Sequence, residues 1–234
     1  MDLVLLQSIP YEIFYILLVT QTGAFLAFRL KKDGTIGKKL YEEHFGKNSH
    51  IHHVCLSQNG DFIFITDLGN DKLFAYQVHE TSCGIDFCNI GCFSFPNQTE
   101  PRHIAIKNND LYIITEISCK LYHLRFLEDL TFECIEVHSL LPENTNLGDD
   151  FTGCAITLSQ NKDFLYTSIR GHNSISVFSL KNQTPDLIQN VSCHGNNPRD
   201  ITICKNGTSL LCANYLSDSI SSFEIDQNTR TTYL

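Results

Sequence analysis

Short apolar runs alternate with polar turn residues along the whole chain, which is typical of antiparallel β-hairpins. The clearest hairpin lies between Asn161 and Leu180, where the apolar run Phe164–Tyr166 is followed by a turn at residues 170–173 and by a second apolar run. Two such runs separated by a short segment rich in Gly and Asn predict a hairpin. Sustained helical periodicity is absent from the sequence, so we predict an all-β protein.

The same hairpin unit recurs along the chain. In each repeat the second strand ends in an aromatic-x-aliphatic pair, found at Phe28/Leu30, Tyr76/Val78, Tyr122/Leu124, Phe178/Leu180 and Phe223/Ile225. A repeat of roughly 40 to 50 residues that contains only strand patterning predicts a β-propeller. A single hairpin cannot bury both of its faces, so the repeats are expected to stack as blades.

We interpret the chain as one β-propeller domain, residues 1–234, built from about five blades of four antiparallel strands. The blades are expected at about 3–45, 52–95, 101–137, 151–191 and 198–234, with a polar loop at 142–150. Because an unclosed ring exposes sheet edges, the chain is either a compact ring of five blades or part of a larger ring.

Charge and composition narrow the classes of partner. The net charge of -9 argues against a nucleic-acid partner, which requires a basic surface.

The start of the chain has an acid at Asp2 and no basic segment, so we expect no signal peptide. The apolar run Phe14–Val19 is far shorter than the roughly 20 residues of a membrane span. Ten cysteines, read as mostly buried thiols, favour a cytoplasmic location.

Candidate chemistry lies at the ends of the two inner strands of each blade. These strands are antiparallel, so the first residue of one lies beside the last residue of the other. The inner strands of a propeller surround a central channel. Applied to every blade, the same rule selects the positions on one rim of that channel. The positions selected are His52, Asp67, Arg102, His103, Glu116, Arg170, His172, Arg199, Asp200 and Asn214. Three of the six arginines fall on this rim, which predicts a pocket for an anionic small molecule.

Structural roles are the alternative for these residues. Residues 101–104 and 198–201 repeat each other, so their arginines could pair with a carboxylate of a neighbouring blade. We expect Arg102 to be the partner of Glu116, because a carboxylate on an inner strand is costly unless it is paired. Asp67 and Asn214 are as well suited to capping turns as to contacting a ligand.

Three histidines lie close together at positions 50, 52 and 53. Only His50 and His52 share a strand face, and the alternatives for them are a zinc site, a packed histidine and an acid/base role for His52. The sequence has no phosphate-binding glycine loop, no serine nucleophile elbow and no zinc-hydrolase motif. We therefore expect no metal and no cofactor, and chemistry by general acid/base catalysis with arginine electrostatics.

Four segments resemble successive blades of the lactonase family of seven-bladed β-propellers. They are HIHHVCLSQNGDFIFITDLGNDKLFAYQV, EPRHIAIKNNDLYIITE, FLYTSIRGHNSISVFSL and NPRDITICKNGTSLLCANYLSDSISSFEI. The resemblance covers nearly the whole chain from about Thr20, and relative to the family the chain looks shortened. The family includes bacterial 6-phosphogluconolactonases and fungal carboxy-cis,cis-muconate cyclases.

The resemblance implies four active-site groups. They are the histidine before the SPDG-like turn, the arginine of the PRH motif, the glutamate ending the next strand and the arginine of the RGH motif, which correspond to His52, Arg102, Glu116 and Arg170. The residues expected to bind substrate are His103, His172, Arg199, Asp67 and Asn214. One departure from the family is Ile169, where the family has an Asn before RGH.

The activity implied by this resemblance is hydrolysis of a sugar lactone, with 6-phosphogluconolactone as the expected substrate. A muconate-type lactonizing cycloisomerase is the alternative within enzymes. A propeller that only binds another protein is the alternative outside them.

Overall fold

In a computed structural model the chain folds into short β-strands. The structure describes residues 6–8, 13–19, 23–81, 84–204, 206–226 and 232–233. These residues form five four-stranded sheets, each made of four strands that are consecutive in the chain. The predicted all-β fold of four-stranded antiparallel blades is confirmed. Within the described residues, no helix has the length and hydropathy needed to cross a membrane.

The strands follow the predicted blades closely. The first sheet contains β1 (Leu6–Ser8), β2 (Ile13–Val19), β3 (Ala24–Leu30) and β4 (Ile36–His44), and the second contains β5 (Ile51–Leu56), β6 (Phe62–Asp67), β7 (Lys72–Thr81) and β8 (Gly84–Ser94). The third contains β9 (Pro101–Lys107), β10 (Asp110–Thr115), β11 (Lys120–Phe126) and β12 (Phe132–Ser139). The fourth contains β13 (Thr152–Leu158), β14 (Phe164–Arg170), β15 (Ser174–Ser179) and β16 (Asp186–Ser192), and the fifth contains β17 (Pro198–Ile203), β18 (Ser209–Asn214), β19 (Ser219–Ile225) and β20 (Thr232–Tyr233). The predicted limits at residues 3 and 234 lie outside the described residues.

The chain divides into two compact units. Unit 1 contains residues 1–109 and 126–132, and unit 2 contains residues 110–125 and 133–234. The core of unit 1 is rich in aromatic rings, and Phe25 lies 5.8 Å from Tyr76 and 5.1 Å from Phe87 between ring centroids. The core of unit 2 includes Tyr166 and Phe223. The interpretation as a single domain stays a prediction.

Inner strands meet at their ends as the antiparallel rule predicts. The pairs at these ends are Ile51 with Asp67, Thr152 with Arg170, and Pro198 with Asn214. In the second and fifth sheets a β-bulge follows the pair, and its extra residue is His52 in one sheet and Arg199 in the other. A bulge leaves one residue out of the ladder and re-aims its side chain, so two predicted site residues occupy special backbone positions.

A buried hydroxyl joins the inner strands of successive sheets in unit 1. The Oγ1 of Thr66 accepts a hydrogen bond from the His53 N–H (3.1 Å) and donates one to the carbonyl oxygen of Arg102 (2.7 Å). The same device recurs in unit 2, where Ser168 Oγ accepts from the Ala155 N–H (3.1 Å) and donates to the carbonyl of Pro198 (3.0 Å). Both hydroxyls are buried, and each supplies hydrogen-bond partners to two backbone groups.

His53 directly follows the bulge on β5. Its Nδ1 accepts a hydrogen bond from the Ile104 N–H at 3.3 Å. Desolvation, followed by the positive charge of Arg102, lowers the pKa of His53 from 6.5 to about 4. His53 is therefore neutral at pH 7 in the folded protein.

Replacing Thr66 by Val removes the hydroxyl but keeps the shape of the side chain. It leaves the His53 N–H and the Arg102 carbonyl without this partner, and we expect a loss of about 2 kcal/mol in the free energy of unfolding. Urea denaturation followed by circular dichroism measures this loss. Thr66→Ser, which keeps the hydroxyl, is the matched control and should lose less; equal stability of wild type and Thr66→Val would contradict the role of the bridge.

The lowered pKa of His53 makes stability depend on pH. Between pH 6.5 and about 4 the unfolded chain binds a proton at His53 that the folded chain does not, so this contribution is present above pH 6.5 and is lost as the pH falls. Because carboxylates also respond to acid, the informative quantity is the difference between wild type and His53→Asn. On acidification from pH 7 to pH 4.5, we expect wild type to lose about 2 kcal/mol more than the variant. Parallel stability curves for the two proteins would count against a neutral His53.

Candidate functional site

Unit 1 contains a cluster of three imidazole rings beside a buried arginine. Arg102 is only 3% exposed, and its Nη1 lies 3.2 Å from the Nε2 of His103. A guanidinium can only donate hydrogen bonds, so the Nε2 of His103 is the acceptor. The ring of His103 lies 5.2 Å from that of His52 and 4.8 Å from that of His53 between centroids. The structure thus brings together the predicted residues His52, Arg102 and His103, together with His53, which sequence reasoning did not select.

The burial of Arg102 gives this cluster its electrostatic character. A positive charge with little access to water keeps a strong field at short range, because the surroundings screen it less than bulk solvent does. Such a charge is expensive to bury. A carboxylate or phosphate placed against it would therefore be bound more strongly than at an exposed arginine.

Unit 2 contains an ion pair between two further predicted residues. The Nη2 of Arg170 lies 2.7 Å from the Oε1 of Glu116, with side chains that are 12% and 22% exposed. Arg170 is thus a partner of Glu116, and the predicted pairing of Glu116 with Arg102 stays a prediction. The contact with Arg170 follows from the register, because Thr152 lies opposite Arg170 and the N–H of the next residue, Gly153, donates to the Glu116 carbonyl at 3.0 Å.

Gly153 is the residue that allows this close approach. A Cβ atom at this position would lie 2.3 Å from the carbonyl oxygen of Thr115, a distance that no side chain tolerates. The end of β10 and the start of β13 can therefore lie against each other only with glycine here. A glycine at the start of an inner strand is a sequence signal for such a close approach of another backbone.

Cys119 and His172 are neighbours of the ion pair. Burial raises the pKa of the Cys119 thiol to about 12, although the charge of Arg170 acts in the opposite direction. Cys119 is therefore a neutral thiol and a poor nucleophile. His172 lies in the turn after Arg170, where its Nδ1 is 2.7 Å from the Oγ of Ser174 and its ring packs edge-on against Phe151.

Two predicted substrate-binding residues, Asp67 and Asn214, make hydrogen bonds within the protein. The carboxylate of Asp67 is fully buried and accepts hydrogen bonds from the His50 N–H (2.9 Å) and from the backbone N–H and side-chain amide of Asn70 (3.2 and 2.7 Å). Asn214 is buried and donates to the Oγ of Ser221 at 2.9 Å. These contacts match the turn-capping alternative for Asp67 and a packing role for Asn214.

Arg199 lies on the surface of unit 2. Its guanidinium carbon is 6.0 Å from the centroid of the Tyr215 ring. Together with Asp200 it lines a shallow groove of about 530 Å³ in the fifth sheet. An exposed cation beside an aromatic ring can contact an anionic ligand, but it is screened by solvent far more than Arg102 is.

Across the part of the chain that the structure describes, no three His, Cys, Asp or Glu side chains are arranged to hold a metal ion. The nine cysteines of these residues are free thiols.

Comparison with known proteins places the chain in a family. Residues 20–232 match the family described as "Lactonase, 7-bladed beta-propeller". The chain is 29% identical over 221 residues to the 6-phosphogluconolactonase of Bacillus subtilis (strain 168), an alignment that covers 89% of this chain and 62% of that protein. It is 31% identical over 185 residues to an uncharacterized protein of Staphylococcus aureus (strain USA300), which covers 77% of this chain and 52% of that protein.

A solved structure supports the fold. The crystal structure of a protein from Lactobacillus plantarum superposes with a TM-score of 0.86 at 21% identity, over 94% of this chain and 66% of that one. The chain thus spans between half and two thirds of the length of the relatives it matches. The repeated four-stranded sheets and the family match over most of the sequence show that this protein belongs to the lactonase family of seven-bladed β-propellers.

Proposed function

We propose that this protein hydrolyses a sugar lactone, and that the substrate is 6-phosphogluconolactone. The observation that carries the proposal is the buried guanidinium of Arg102 beside imidazole rings, found in a chain whose family is named for lactonase activity. The name of the Bacillus subtilis relative supports the choice of a phosphorylated substrate. An acidic protein with few arginines needs such a concentrated positive charge to bind an anionic sugar.

The proposed mechanism uses side chains alone. Water attacks the lactone carbonyl and gives up a proton to Glu116, with His52 as the second acid/base group. The carbonyl oxygen becomes an oxyanion in the tetrahedral intermediate, and a guanidinium stabilises its charge. The ring C–O bond then breaks, the leaving oxygen takes up the proton that Glu116 accepted, and the product is the open hydroxy acid with Glu116 restored as a carboxylate. In this scheme Arg102 and Arg170 hold the oxyanion and the phosphate group.

Glu116 suits the role of proton acceptor because a contact holds its side chain in place. Its ion pair with Arg170 at 2.7 Å holds the side chain in one orientation, and a carboxylate is the form that can accept a proton from water. On substrate binding, Arg170 would contact the anionic group of the ligand. We also propose a cytoplasmic location, which the free thiols support.

Removing either arginine should remove most of the catalysis. We expect Arg102→Ala and Arg170→Ala each to lower kcat/KM for 6-phosphogluconolactone by about 100-fold. Lactone disappearance, corrected for spontaneous hydrolysis, is the measurement. Arg125→Ala is the matched control, because Arg125 is 44% exposed and pairs with Asp110, and it should keep the wild-type rate.

Several results would overturn the proposal. Wild-type protein that does not exceed the spontaneous rate would remove the enzymatic function. Equal catalytic rates for all four proteins would remove the proposed role of the two arginines. Faster turnover of a muconate-type lactone than of 6-phosphogluconolactone would keep the enzymatic function but contradict the proposed substrate.

Gluconolactone without phosphate tests whether Arg102 binds the phosphate group. If it does, we expect Arg102→Ala to lower kcat/KM for gluconolactone less than it lowers kcat/KM for 6-phosphogluconolactone.

Glu116→Gln separates proton transfer from binding. Glutamine keeps the size and polarity of the side chain but cannot accept a proton from water, so we expect kcat to fall by at least about 100-fold with little change in KM. A rise in KM at unchanged kcat would instead assign Glu116 to substrate binding. Circular dichroism of the variant checks that the fold is kept.

A further inference from the structure

His53 is attached to the strand that carries Arg102 at two points. Through its backbone, the His53 N–H donates to the Oγ1 of Thr66, which in turn donates to the Arg102 carbonyl. Through its side chain, Nδ1 accepts from the Ile104 N–H at 3.3 Å. With backbone and ring both tied to β9, the imidazole of His53 has a defined orientation beside that strand.

This orientation places the His53 ring against His103. The two ring centroids are 4.8 Å apart, and the planes are inclined by 37°. The same His103 presents its Nε2 to the Nη1 of Arg102 at 3.2 Å. Between Ile104 and the guanidinium there is thus a continuous series of contacts that passes through His53 and His103.

The hydrogen bond from Arg102 determines the proton position on His103. Since the guanidinium donates, Nε2 must carry a lone pair, and the ring proton of a neutral His103 must be on Nδ1. A protonated His103 would carry hydrogen on both nitrogens and would repel Arg102. A tilted or rotated ring would also withdraw the lone pair from the guanidinium.

We propose that His53 is a positioning residue that holds the imidazole of His103 as a neutral acceptor for Arg102, and so orients the guanidinium toward the anionic group of the substrate. His53 does not touch the reacting atoms in this scheme. Its low pKa, which results from desolvation and the charge of Arg102, agrees with a ring that stays neutral beside a cation. The catalytic consequence rests on the proposed lactonase function, whereas the proton position on His103 does not.

Two substitutions separate the packing of the His53 ring on His103 from its hydrogen bond with the Ile104 N–H. In His53→Asn, the amide oxygen can still accept from the Ile104 N–H, but the ring that packs on His103 is gone. In His53→Phe, a ring of similar shape remains against His103, but the acceptor for the Ile104 N–H is lost. The proposal therefore expects the Asn variant to disturb His103 and the Phe variant to lower stability while leaving His103 in place.

The direct test is the tautomer of His103 in nitrogen-15 NMR. Long-range correlation spectra of the histidine rings distinguish a proton on Nδ1 from one on Nε2, and loss of a signal in His103→Gln assigns the resonance. At pH 7.5 we expect wild type and His53→Phe to show the Nδ1-protonated form and His53→Asn to show a mixture. A wild-type His103 protonated on Nε2, or a spectrum of His53→Asn identical to wild type, would overturn the proposal.

Kinetics give the second readout. If wild type hydrolyses 6-phosphogluconolactone, we expect His53→Asn to raise KM about tenfold with kcat within twofold, and His53→Phe, which keeps a ring against His103, to raise KM less than His53→Asn does. Equal KM values for the three proteins would contradict the positioning role. An inactive wild type would refute the proposed function alone, because the NMR result would still decide the role of His53. Thermal melts identify a variant that fails to fold, and the remaining variant then decides the outcome.

Discussion

The hydrogen bonds of two buried hydroxyls hold the inner strands of successive sheets together. Thr66 in unit 1 and Ser168 in unit 2 each accept an N–H from the inner strand of their own sheet and donate to a carbonyl of the next one. Backbone groups at sheet ends cannot be satisfied within a sheet once a bulge has interrupted the ladder. A short hydroxyl side chain on the second strand reaches both groups, so it fixes the distance between neighbouring sheets where the candidate site residues lie.

The candidate chemistry depends on this spacing. Arg102 takes part in the first bridge, because its carbonyl oxygen accepts the hydrogen bond from Thr66. Its guanidinium contacts the ring of His103. The contact of Arg170 with Glu116 depends in the same way on backbone proximity, which Gly153 permits. Each arginine thus has a backbone group within a sheet or bridge and a side-chain contact that places its guanidinium. A fixed charge in a region poor in water stabilises a developing anion without first having to reorient.

A buried arginine gives an acidic chain one local site of concentrated positive charge. The net charge of -9 acts mainly at the surface, where ions screen it within about 10 Å. A buried guanidinium acts at contact distance and in a medium that screens it less. The net charge therefore argues against a broad basic surface, and it is compatible with one small cationic site.

Hydrophobic patterning alone was sufficient to predict the strands, their number and the positions at which inner strands meet. Alternation of apolar and polar residues is a local property of the sequence. The pairing of antiparallel strand ends follows from geometry within one sheet and does not depend on the neighbouring sheets. His52, Arg102, Glu116 and Arg170 could be selected in this way before any contact was known. The contact between Glu116 and Arg170, the capping bonds of Asp67 and the packing of His53 on His103 were decided only by the tertiary structure. They depend on how one sheet stacks on the next and on bulges that shift a side chain by one residue, and neither leaves a periodic signal in the amino-acid sequence.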